Sequence, residues 1–386
     1  MHNTRLGDAL GDRILACVIA ALLGCAHPAP PSPAPLGAVP PARLERLSRA
    51  VNVSRWFALY SAKKPPRFAD YLSDDDIAMI RASGFRAIRL FIDARYLYDP
   101  QHPERPDSTV LSYLDTALGR LFAHDLGVVI VPNALARRLE HDSAYREGFI
   151  RFWGALADHL RLREPDRLFL ELVNEPEFQG RHREWLDLQR RLVAEIRRHA
   201  PVHTIIASGA NWSSIDGLLE VVPLADPNVI YTFHFYEPGA FTHQGASWVG
   251  QGSWRDIPFP ADSARCDVAV RAQTDGRARR AVERYCRQHW DGAALTARLE
   301  RVSQWRRRYR VPVFAGEFGA ICLAPREDRL DWIRTVRTDL EQRNIGWSLW
   351  DFDTCFGLDA RRGADGRLTV DRGVLGALGL EGGGLR

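Results

Sequence analysis

Apolar runs of strand length alternate with amphipathic helical stretches along most of this 386-residue chain. Eight of the runs are apolar enough to be strands buried on both faces, as in a parallel sheet. They lie at residues 51–56, 85–92, 128–133, 168–173, 204–212, 229–238, 311–320 and 346–353. Apolar residues recur at helical spacing between most of them, at 73–83, 108–124, 143–162, 182–199, 295–309 and 327–343. This alternation predicts an α/β fold, a (β/α)8 TIM barrel.

The alternative to a closed barrel is a doubly wound open sheet. That fold places a glycine-rich phosphate loop after its first strand, and no such loop follows the run at 51–56. One connection, residues 239–291, is too long for an ordinary loop and is rich in Trp and Gly. Long connections without clear secondary structure usually carry function or are disordered. We therefore predict a barrel with a long insertion after strand six.

The first 25 residues have the pattern of an export signal. Arg5 and Arg13 give a positive start, and the apolar run at 14–23 is too short to span a bilayer stably. The run ends in Leu-Leu-Gly-Cys, which resembles the lipobox of bacterial lipoproteins. In that family the chain is cut before the cysteine, here Cys25, which then carries lipid. An ordinary secretory signal or a short anchor is the alternative.

Residues 26–42 are rich in Pro and Ala, a composition typical of an extended tether. We therefore divide the chain into a signal peptide (1–25), a tether (26–42) and a barrel domain (43–386). This division predicts an exported protein, attached to the outer membrane through lipid and facing the periplasm or the cell surface. We expect no other membrane attachment, and a monomer.

The charged residues argue against binding to nucleic acids. The net charge is only +4, and the cations are interspersed with acids. Nearly all the cations are arginines, since Lys63 and Lys64 are the only lysines. No CxxC motif or His/Cys spacing indicates a zinc site, so no metal is expected.

Four cysteines remain outside the signal, and they allow three disulfide connectivities. An exported protein is exposed to an environment in which disulfides persist. Cys266 and Cys286 share the long insertion, whereas Cys322 and Cys355 each follow a predicted strand end. We therefore favour the pairs 266–286 and 322–355.

Two carboxylates stand at the ends of buried strands. The fourth run ends in Asn174-Glu175-Pro176, and Pro176 cannot donate to a ladder, so strand pairing stops there. The seventh run presents Glu317 in the same way. In a (β/α)8 barrel the carboxyl ends of the strands form the face that carries chemistry. Two carboxylates on that face are the arrangement that glycoside cleavage requires.

Six features of the chain resemble, in the same order, those of family-five glycoside hydrolases, the cellulase-like group of retaining barrel enzymes. They are Arg89 in FRAIRLF, the Asn174-Glu175-Pro176 triplet, His234 and Tyr236 in FHFYEP, Glu317 in AGEFG and Trp350 in WSLWDF. The resemblance runs from about residue 52 to residue 353, and each feature lies at the end of a predicted strand.

The resemblance implies how the two carboxylates would act. Glu175 would be the general acid/base, with its pKa raised by the second carboxylate nearby. Glu317 would be the nucleophile, kept ionised by Arg89 and Tyr236. Retaining chemistry then predicts about 5 Å between the two carboxyl groups. The structural alternatives are a Glu175 paired with a surface arginine and an Arg89 held inside the barrel, with Glu171 as its partner.

The same resemblance implies contacts with the substrate. Asn174 would bond the sugar 2-hydroxyl, Trp350 would stack under the ring, and His234 would bind substrate or orient a neighbour. The structural alternatives are a turn residue for Asn174, core packing for Trp350 and a satisfied core histidine for His234. Of the two tryptophans in the eighth run, Trp347 is favoured as the core residue.

One position departs from the family pattern. Many relatives carry a histidine at the end of strand three, where this chain has Asn133, which we retain as a substrate-binding candidate. Further tryptophans are predicted either as outer sugar platforms or as loop core, namely Trp212, Trp248 and Trp254. His243 and Gln244 are expected at the cleft rim.

The sequence thus predicts a retaining O-glycosyl hydrolase, an endo-β-glucanase that acts on a polysaccharide through a glycosyl-enzyme intermediate. No metal or organic cofactor is expected. The alternatives are a β-mannanase, an enzyme that trims or transglycosylates an exopolysaccharide, and a non-catalytic surface protein that binds carbohydrate.

Overall fold

A computed structural model of the protein describes residues 38–58, 67–134, 136–366 and 368–380. The predicted signal, Cys25, most of the tether and both lysines lie outside these ranges. Within them, no helix has the length and apolar character needed to cross a lipid bilayer.

Eight parallel strands close into a barrel, in which each strand pairs with the next and β8 pairs with β1. The strands are β1 (Arg49–Phe57), β2 (Ala87–Asp93), β3 (Gly127–Asn133), β4 (Leu168–Glu171), β5 (Thr204–Ser208), β6 (Val229–Phe235), β7 (Val313–Phe318) and β8 (Gly346–Leu349). The predicted (β/α)8 barrel is confirmed. The strands β4 to β8 each end two to four residues earlier than the sequence predicts.

Helices fill the connections between the strands and surround the barrel. They are α1 (Pro41–Arg46), α2 (Asp74–Ala82), α3 (Ser108–Ala123), α4 (Ala136–His141), α5 (Ser143–Leu160), α6 (His182–His199), α7 (Ala210–Ser213), α8 (Ile215–Leu219), α9 (Gly239–Thr242), α10 (Ser263–Ala272), α11 (Gly276–Arg287), α12 (Gly292–Tyr309), α13 (Arg326–Gln342) and α14 (Arg372–Ala377). A two-stranded hairpin, Arg361–Arg362 with Leu368–Thr369, follows β8.

The barrel interior changes from apolar to polar along the strands. At the amino-terminal end, Ala50, Ala87 and Phe169 belong to one apolar cluster, which Val39 and Leu47 also join. Because side chains alternate along a strand, the residues two positions further on face the same interior. Those residues are Asn52, Arg89 and Glu171, and all three are fully buried. A polar layer therefore lies between the apolar floor and the carboxyl ends of the strands.

A one-residue bulge in β7 aligns the seventh strand with the sixth. Phe233 pairs with Ala315, but His234 pairs with Glu317, so Gly316 is the extra residue. A Cβ on Gly316 would lie 2.6 Å from Thr232 Oγ1, too close for any side chain to fit without movement. Bulges of this kind commonly re-aim a side chain next to an active site. Here the bulge brings Glu317 level with His234.

The insertion after β6 has more structure than the sequence indicated. It contains the helices α10 and α11, joined by the disulfide Cys266–Cys286, whose Cα atoms are 5.9 Å apart. The expectation of a connection without clear structure is therefore wrong for this half of the insertion. The helices were missed because their buried faces consist mostly of small residues, such as Ala278 and Ala281. The second disulfide, Cys322–Cys355, joins the loops after β7 and β8.

Candidate active site

Two carboxylates from different strands meet at the carboxyl end of the barrel. Glu175 follows β4, and Glu317 lies in β7. One oxygen of each and a ring nitrogen of His234 all lie within 4.8 Å of one another. Retaining glycosidases hold their carboxyl groups about 5 Å apart, whereas inverting enzymes need about 6.5–9.5 Å. The spacing here is that of a retaining pair.

Arg89 is fully buried and contacts Glu317 but not Glu175. Its Nε and Nη2 donate to the two oxygens of Glu171 at 2.8 and 2.7 Å. Its Nη1 donates to Glu317 Oε1 at 2.8 Å. The two alternatives that the sequence left open therefore hold together: Arg89 is a structural partner of Glu171 and also a contact of Glu317.

Two asparagines complete the shell around the guanidinium. Arg89 Nη1 donates to Asn52 Oδ1 at 2.8 Å, and Nη2 donates to Asn174 Oδ1 at 2.9 Å. Asn52 in turn donates to the carbonyl oxygens of Gly316 and Leu349. Because Asn174 uses its carbonyl oxygen for Arg89, its side-chain N–H groups remain as donors for a ligand. Sequence reasoning missed Asn52, although its place as a polar residue in an apolar strand was a usable signal.

Glu317 accepts two hydrogen bonds that favour its ionised form, from Arg89 and from Tyr236, although the group is deeply buried. Burial raises its pKa above the ordinary value, whereas the charge of Arg89 and the hydroxyl of Tyr236 act in the opposite direction. Tyr236 donates this hydrogen bond to Glu317 Oε2 at 2.8 Å. Burial also raises the pKa of the Tyr236 hydroxyl well above its usual range, so the hydroxyl remains a donor.

Glu175 has surroundings that favour its protonated form near neutrality. Burial raises the pKa of Glu175 to about 7. Its Oε1 lies 2.7 Å from Nδ1 of His234, and burial lowers the pKa of that imidazole to about 4, so the ring is neutral. His234 Nε2 is buried and has no hydrogen-bond partner among the described residues. An orphaned N–H is rarer than an orphaned acceptor, so we place the ring proton on Nδ1. The acidic proton of Glu175 then belongs on Oε2, the oxygen that His234 does not contact.

The first prediction concerns pH. We expect kcat/KM to fall on the alkaline side of an apparent pKa near 7, because Glu175 must be protonated to act as an acid. Glu175→Gln should remove this alkaline limb on aryl glycosides whose leaving groups need no proton. Glu177→Gln is the matched control: it removes a negative charge that raises the pKa of Glu175, so the limb should move to lower pH. An alkaline limb that persists unchanged in Glu175→Gln would assign the acid to another group.

The segment α7 is a left-handed turn rather than a regular helix, and it holds the loop that carries Glu175. Asn211, Trp212 and Ser213 have φ values of +58°, +55° and +53°. The N–H groups of Asn211 and Trp212 donate to Glu177 O (2.7 Å) and Pro176 O (3.0 Å). Ser213 Oγ donates to Asn174 O at 3.0 Å. Residues in such conformations cost about 1–3 kcal/mol each and persist only where surrounding contacts fix them. We call the turn and its hydrogen bonds to the loop after β4 the clamp. The sequence predicts a continuing strand here and gives no sign of it.

The second prediction tests the clamp. Ser213→Ala removes the hydroxyl that holds the Asn174 carbonyl, and loss of such a bond typically costs about 1 kcal/mol. We expect kcat to fall about fivefold to tenfold with a shifted alkaline limb, because Glu175 moves relative to His234. Ser303→Ala, at a buried serine in α12, is the control and should leave both quantities unchanged. An unchanged pH profile in Ser213→Ala would reduce the clamp to a purely structural role.

The remaining candidates are divided between the cleft and the core. Trp350 is half-buried and lies edge-on to Phe91, with centroids 5.9 Å apart, whereas Trp347 is fully buried, which confirms it as the core tryptophan. Trp212 and Trp248 are 44% and 69% exposed. Trp254 is buried, so it belongs to the core.

Two polar candidates at the rim have different surroundings. Gln244 is fully buried and bonds the main chain of Phe241 and Ile257, so its predicted place at the rim is wrong. His243 packs against Tyr236, with ring centroids 5.1 Å apart. Asn133 is half-buried at the end of β3, in register with Asp93 of β2.

The same three groups are the candidates for holding a metal ion among the described residues. Glu175, His234 and Glu317 offer two carboxylate oxygens and one ring nitrogen. Their contacts in the structure are with one another and with Arg89 and Tyr236. Chemistry by two carboxylates needs no cation, so we derive no step through one.

Comparison with known proteins agrees with this geometry. Residues 52–355 match the model of the cellulase family, glycosyl hydrolase family 5. Endoglucanase 3 of Fibrobacter succinogenes is 27% identical over 333 residues, which cover 80% of this chain but 50% of that protein. Endoglucanase C of Acetivibrio thermocellus is 24% identical over 313 residues, which cover 78% of this chain and 90% of that protein. This chain therefore spans half of the first relative and most of the second.

Solved structures show the same fold. Cel5A from Thermotoga maritima, in complex with cellobiose, superposes with a TM-score of 0.71 at 24% identity and covers 87% of this chain and 98% of its own. Subunit Z of the clostridial cellulose synthase from Clostridioides difficile superposes with a TM-score of 0.70 at 24% identity. The match covers 86% of this chain and 99% of that one. Because the family model spans most of the barrel, from the first strand to the loop after the eighth, this chain belongs to the cellulase family, glycosyl hydrolase family 5.

Proposed function

We propose that this protein is an endo-β-glucanase that cleaves β-linked glucan chains with retention of configuration. The observation that carries this proposal is the meeting of Glu175 and Glu317 within 4.8 Å, with different partners: Glu317 accepts from Arg89 and Tyr236, whereas Glu175 contacts the imidazole of His234. Pairs of titratable groups whose surroundings differ in this way define the acid and the nucleophile. The relatives named endoglucanases support a glucan as the substrate.

The first half of the reaction forms a covalent intermediate. A Glu317 oxygen attacks the anomeric carbon while the bond to the leaving oxygen breaks, and Glu175 gives its proton to that oxygen. Arg89 and Tyr236 hold Glu317 in place for the attack. The side-chain N–H group of Asn174 donates to the sugar 2-hydroxyl, a contact that strengthens in the transition state.

The second half of the reaction restores both carboxylates. Glu175, now ionised, takes a proton from water, and the water oxygen attacks the anomeric carbon. The bond to Glu317 breaks, and the sugar leaves with its original configuration. Trp350 offers an aromatic face to the ring in the cleavage subsite, and the exposed Trp212 and Trp248 offer further faces beside it.

A panel of soluble polysaccharides tests this function. On a mixed-linkage β-glucan, viscosity should fall much faster than reducing ends appear, because internal cuts shorten chains with few events. β-mannan and xylan serve as controls for the sugar and should be cleaved at least about tenfold more slowly, the scale that a few lost hydroxyl contacts produce. Preferential cleavage of mannan, or release of small sugars without loss of viscosity, would overturn the proposal.

We further propose that the enzyme is exported as a lipoprotein and works as a monomer. The sequence of residues 1–25 supports a lipid on Cys25, and the two disulfides of the barrel fit an oxidising compartment. Metabolic labelling with a radioactive fatty acid should mark the protein, and Cys25→Ser should abolish both the label and membrane fractionation. A wild-type protein that carries no label, or stays soluble, contradicts the anchor, and light scattering tests the monomer.

A further inference from the structure

The helix α11 carries an unusual set of arginines. Most arginines in the described parts of the chain lie within ion-pair distance of a carboxylate, such as Arg191 with Glu147 and Arg298 with Asp216. Within the 12 residues of α11 there are five arginines and one acid, Glu283. Across the described ranges, no carboxylate comes within ion-pair distance of any of these five arginines. Exposed arginines elsewhere, such as Arg308 and Arg310, also lie outside ion-pair distance of every carboxylate that the structure describes, but α11 gathers five of them within one helix.

Four of these arginines share one face of the helix. They are Arg277, Arg280, Arg284 and Arg287, all exposed. Their spacing of three, four and three residues places them on one side, along about 15 Å of helix axis. The buried side carries Ala278, Ala281, Val282 and Tyr285. We call the exposed set the arginine face.

The arginine face is held rigidly against the barrel. The disulfide Cys266–Cys286 ties α11 to α10, and Arg265 of α10 forms an ion pair with Asp328 of α13. Tyr285 donates its hydroxyl to the carbonyl oxygen of Pro258. The backbone of α11 therefore loses little conformational entropy when the helix binds a partner, and the cost of ordering falls on the arginine side chains.

The arginine face continues the rim of the cleft. Tyr236, the contact of Glu317, lies 6.1 Å from the ring of Phe356, and Phe356 lies 6.0 Å from the exposed Trp248. Two residues beyond Trp248, a Cβ on Gly250 would lie 3.6 Å from the guanidinium of Arg277. A polymer that leaves the cleavage site over Trp248 would therefore meet Arg277 first and then the rest of the face.

We propose that the arginine face binds acidic groups on the polysaccharide, so that the preferred substrate is a β-glucan bearing carboxylates. Guanidinium groups bind carboxylates through paired hydrogen bonds, and a row of them attracts an anionic polymer. That a glucan extends from the cleavage site to this face rests on the proposed glucanase function. Binding of the polymer to the arginine face does not itself require hydrolysis. The membrane that would hold the tether is a less suitable partner, because Ala38 lies near Pro312 at the amino-terminal end of the barrel, away from the loops that follow β6.

Affinity electrophoresis tests the proposal without hydrolysis. Two polymers share a β-glucan backbone: carboxymethyl cellulose is anionic and hydroxyethyl cellulose is neutral. The variant Arg280→Gln/Arg284→Gln is compared with Arg308→Gln/Arg310→Gln, which removes the same charge from two exposed arginines beside β7. All proteins carry Glu317→Gln so that the polymers stay intact. We expect the α11 variant to bind carboxymethyl cellulose about tenfold more weakly at low salt, and the control variant and the neutral polymer to show no change.

The outcomes separate this proposal from its rivals. Added salt screens exposed charges. At high salt, the protein with an intact arginine face should therefore bind carboxymethyl cellulose as weakly as the α11 variant does. The proposal would be overturned if both variants lost affinity for carboxymethyl cellulose equally. It would also be overturned if the α11 variant lost affinity equally for both polymers, or lost none. An α11 variant that loses binding only to anionic phosphatidylglycerol vesicles would overturn it too. Hydrolysis of neutral β-glucan by the wild type, measured separately, shows whether the glucanase function stands if the face fails.

Discussion

Glu317→Gln should lower kcat on β-glucan about 10⁴-fold, the scale on which the loss of one member of a catalytic unit acts. Glutamine occupies the same space but cannot form the ester to the anomeric carbon. Stability should change little, because the buried group of Arg89, Glu171 and Glu317 has one positive and two negative charges. The substitution leaves Arg89 with Glu171 as its neutralising partner. Initial rates on soluble β-glucan and a thermal unfolding curve measure the two effects.

Glu327→Gln is the control for this substitution. Glu327 is an exposed residue in the first turn of α13, and its neutralisation should leave kcat unchanged. A Glu317→Gln enzyme that retains more than a hundredth of the wild-type rate would transfer the nucleophilic role to another group. Loss of activity together with a large loss of stability would instead point to a structural defect.

Arg89→Met should produce the largest loss of stability of any single change considered. It leaves Glu171 and Glu317 buried without their cation, and breaking a buried pair in this way costs about 3–5 kcal/mol. Activity should be lost as well, because Glu317 loses the charge that favours its ionised form. Arg191→Met is the control: its pair with Glu147 is about half exposed, so the free energy of unfolding should fall by less than about 1 kcal/mol.

The pH dependence of the Arg89→Met protein identifies the cause of its instability. Without the guanidinium, the folded-state pKa of Glu317 rises further above its unfolded value, so folding favours the protonated form. The stability of the variant should therefore be higher at about pH 5 and fall as the pH rises through the folded-state pKa of Glu317. Denaturant unfolding at several pH values measures this trend. A loss that is independent of pH would indicate lost packing of the arginine stem instead.

Much of the fold and the site was predictable because both depend on local signals. Each barrel strand is buried on both faces, so the apolar runs marked the strands. Glu175 was recognisable because it follows such a run, and Glu317 because it lies near the end of one, on the face of the barrel where polar groups collect. The pairing of Arg89 with Glu171, which the sequence offered as the structural alternative, agrees with the rule that a buried arginine needs an acid.

Other features depend on contacts that a single sequence does not display. The left-handed turn at Asn211 is fixed by the loop after β4, about 35 residues away in the chain, so local patterns indicated a strand instead. The bulge at Gly316 requires knowledge of its neighbour Thr232. Gln244 was placed at the rim because it is polar, but it is buried and bonds the backbone of its own loop. The helices of the insertion bury small side chains and gave a weak apolar pattern.

The central claim is that Glu317 forms a bond to the sugar while Glu175 supplies and removes the proton. A fluorinated cellobiosyl fluoride tests it most directly, because it forms the glycosyl-enzyme readily but releases it slowly. After digestion, mass spectrometry should locate the added sugar on the peptide that contains Glu317, and on Glu317 itself after fragmentation. An adduct on Glu175 or on any other residue would contradict the account.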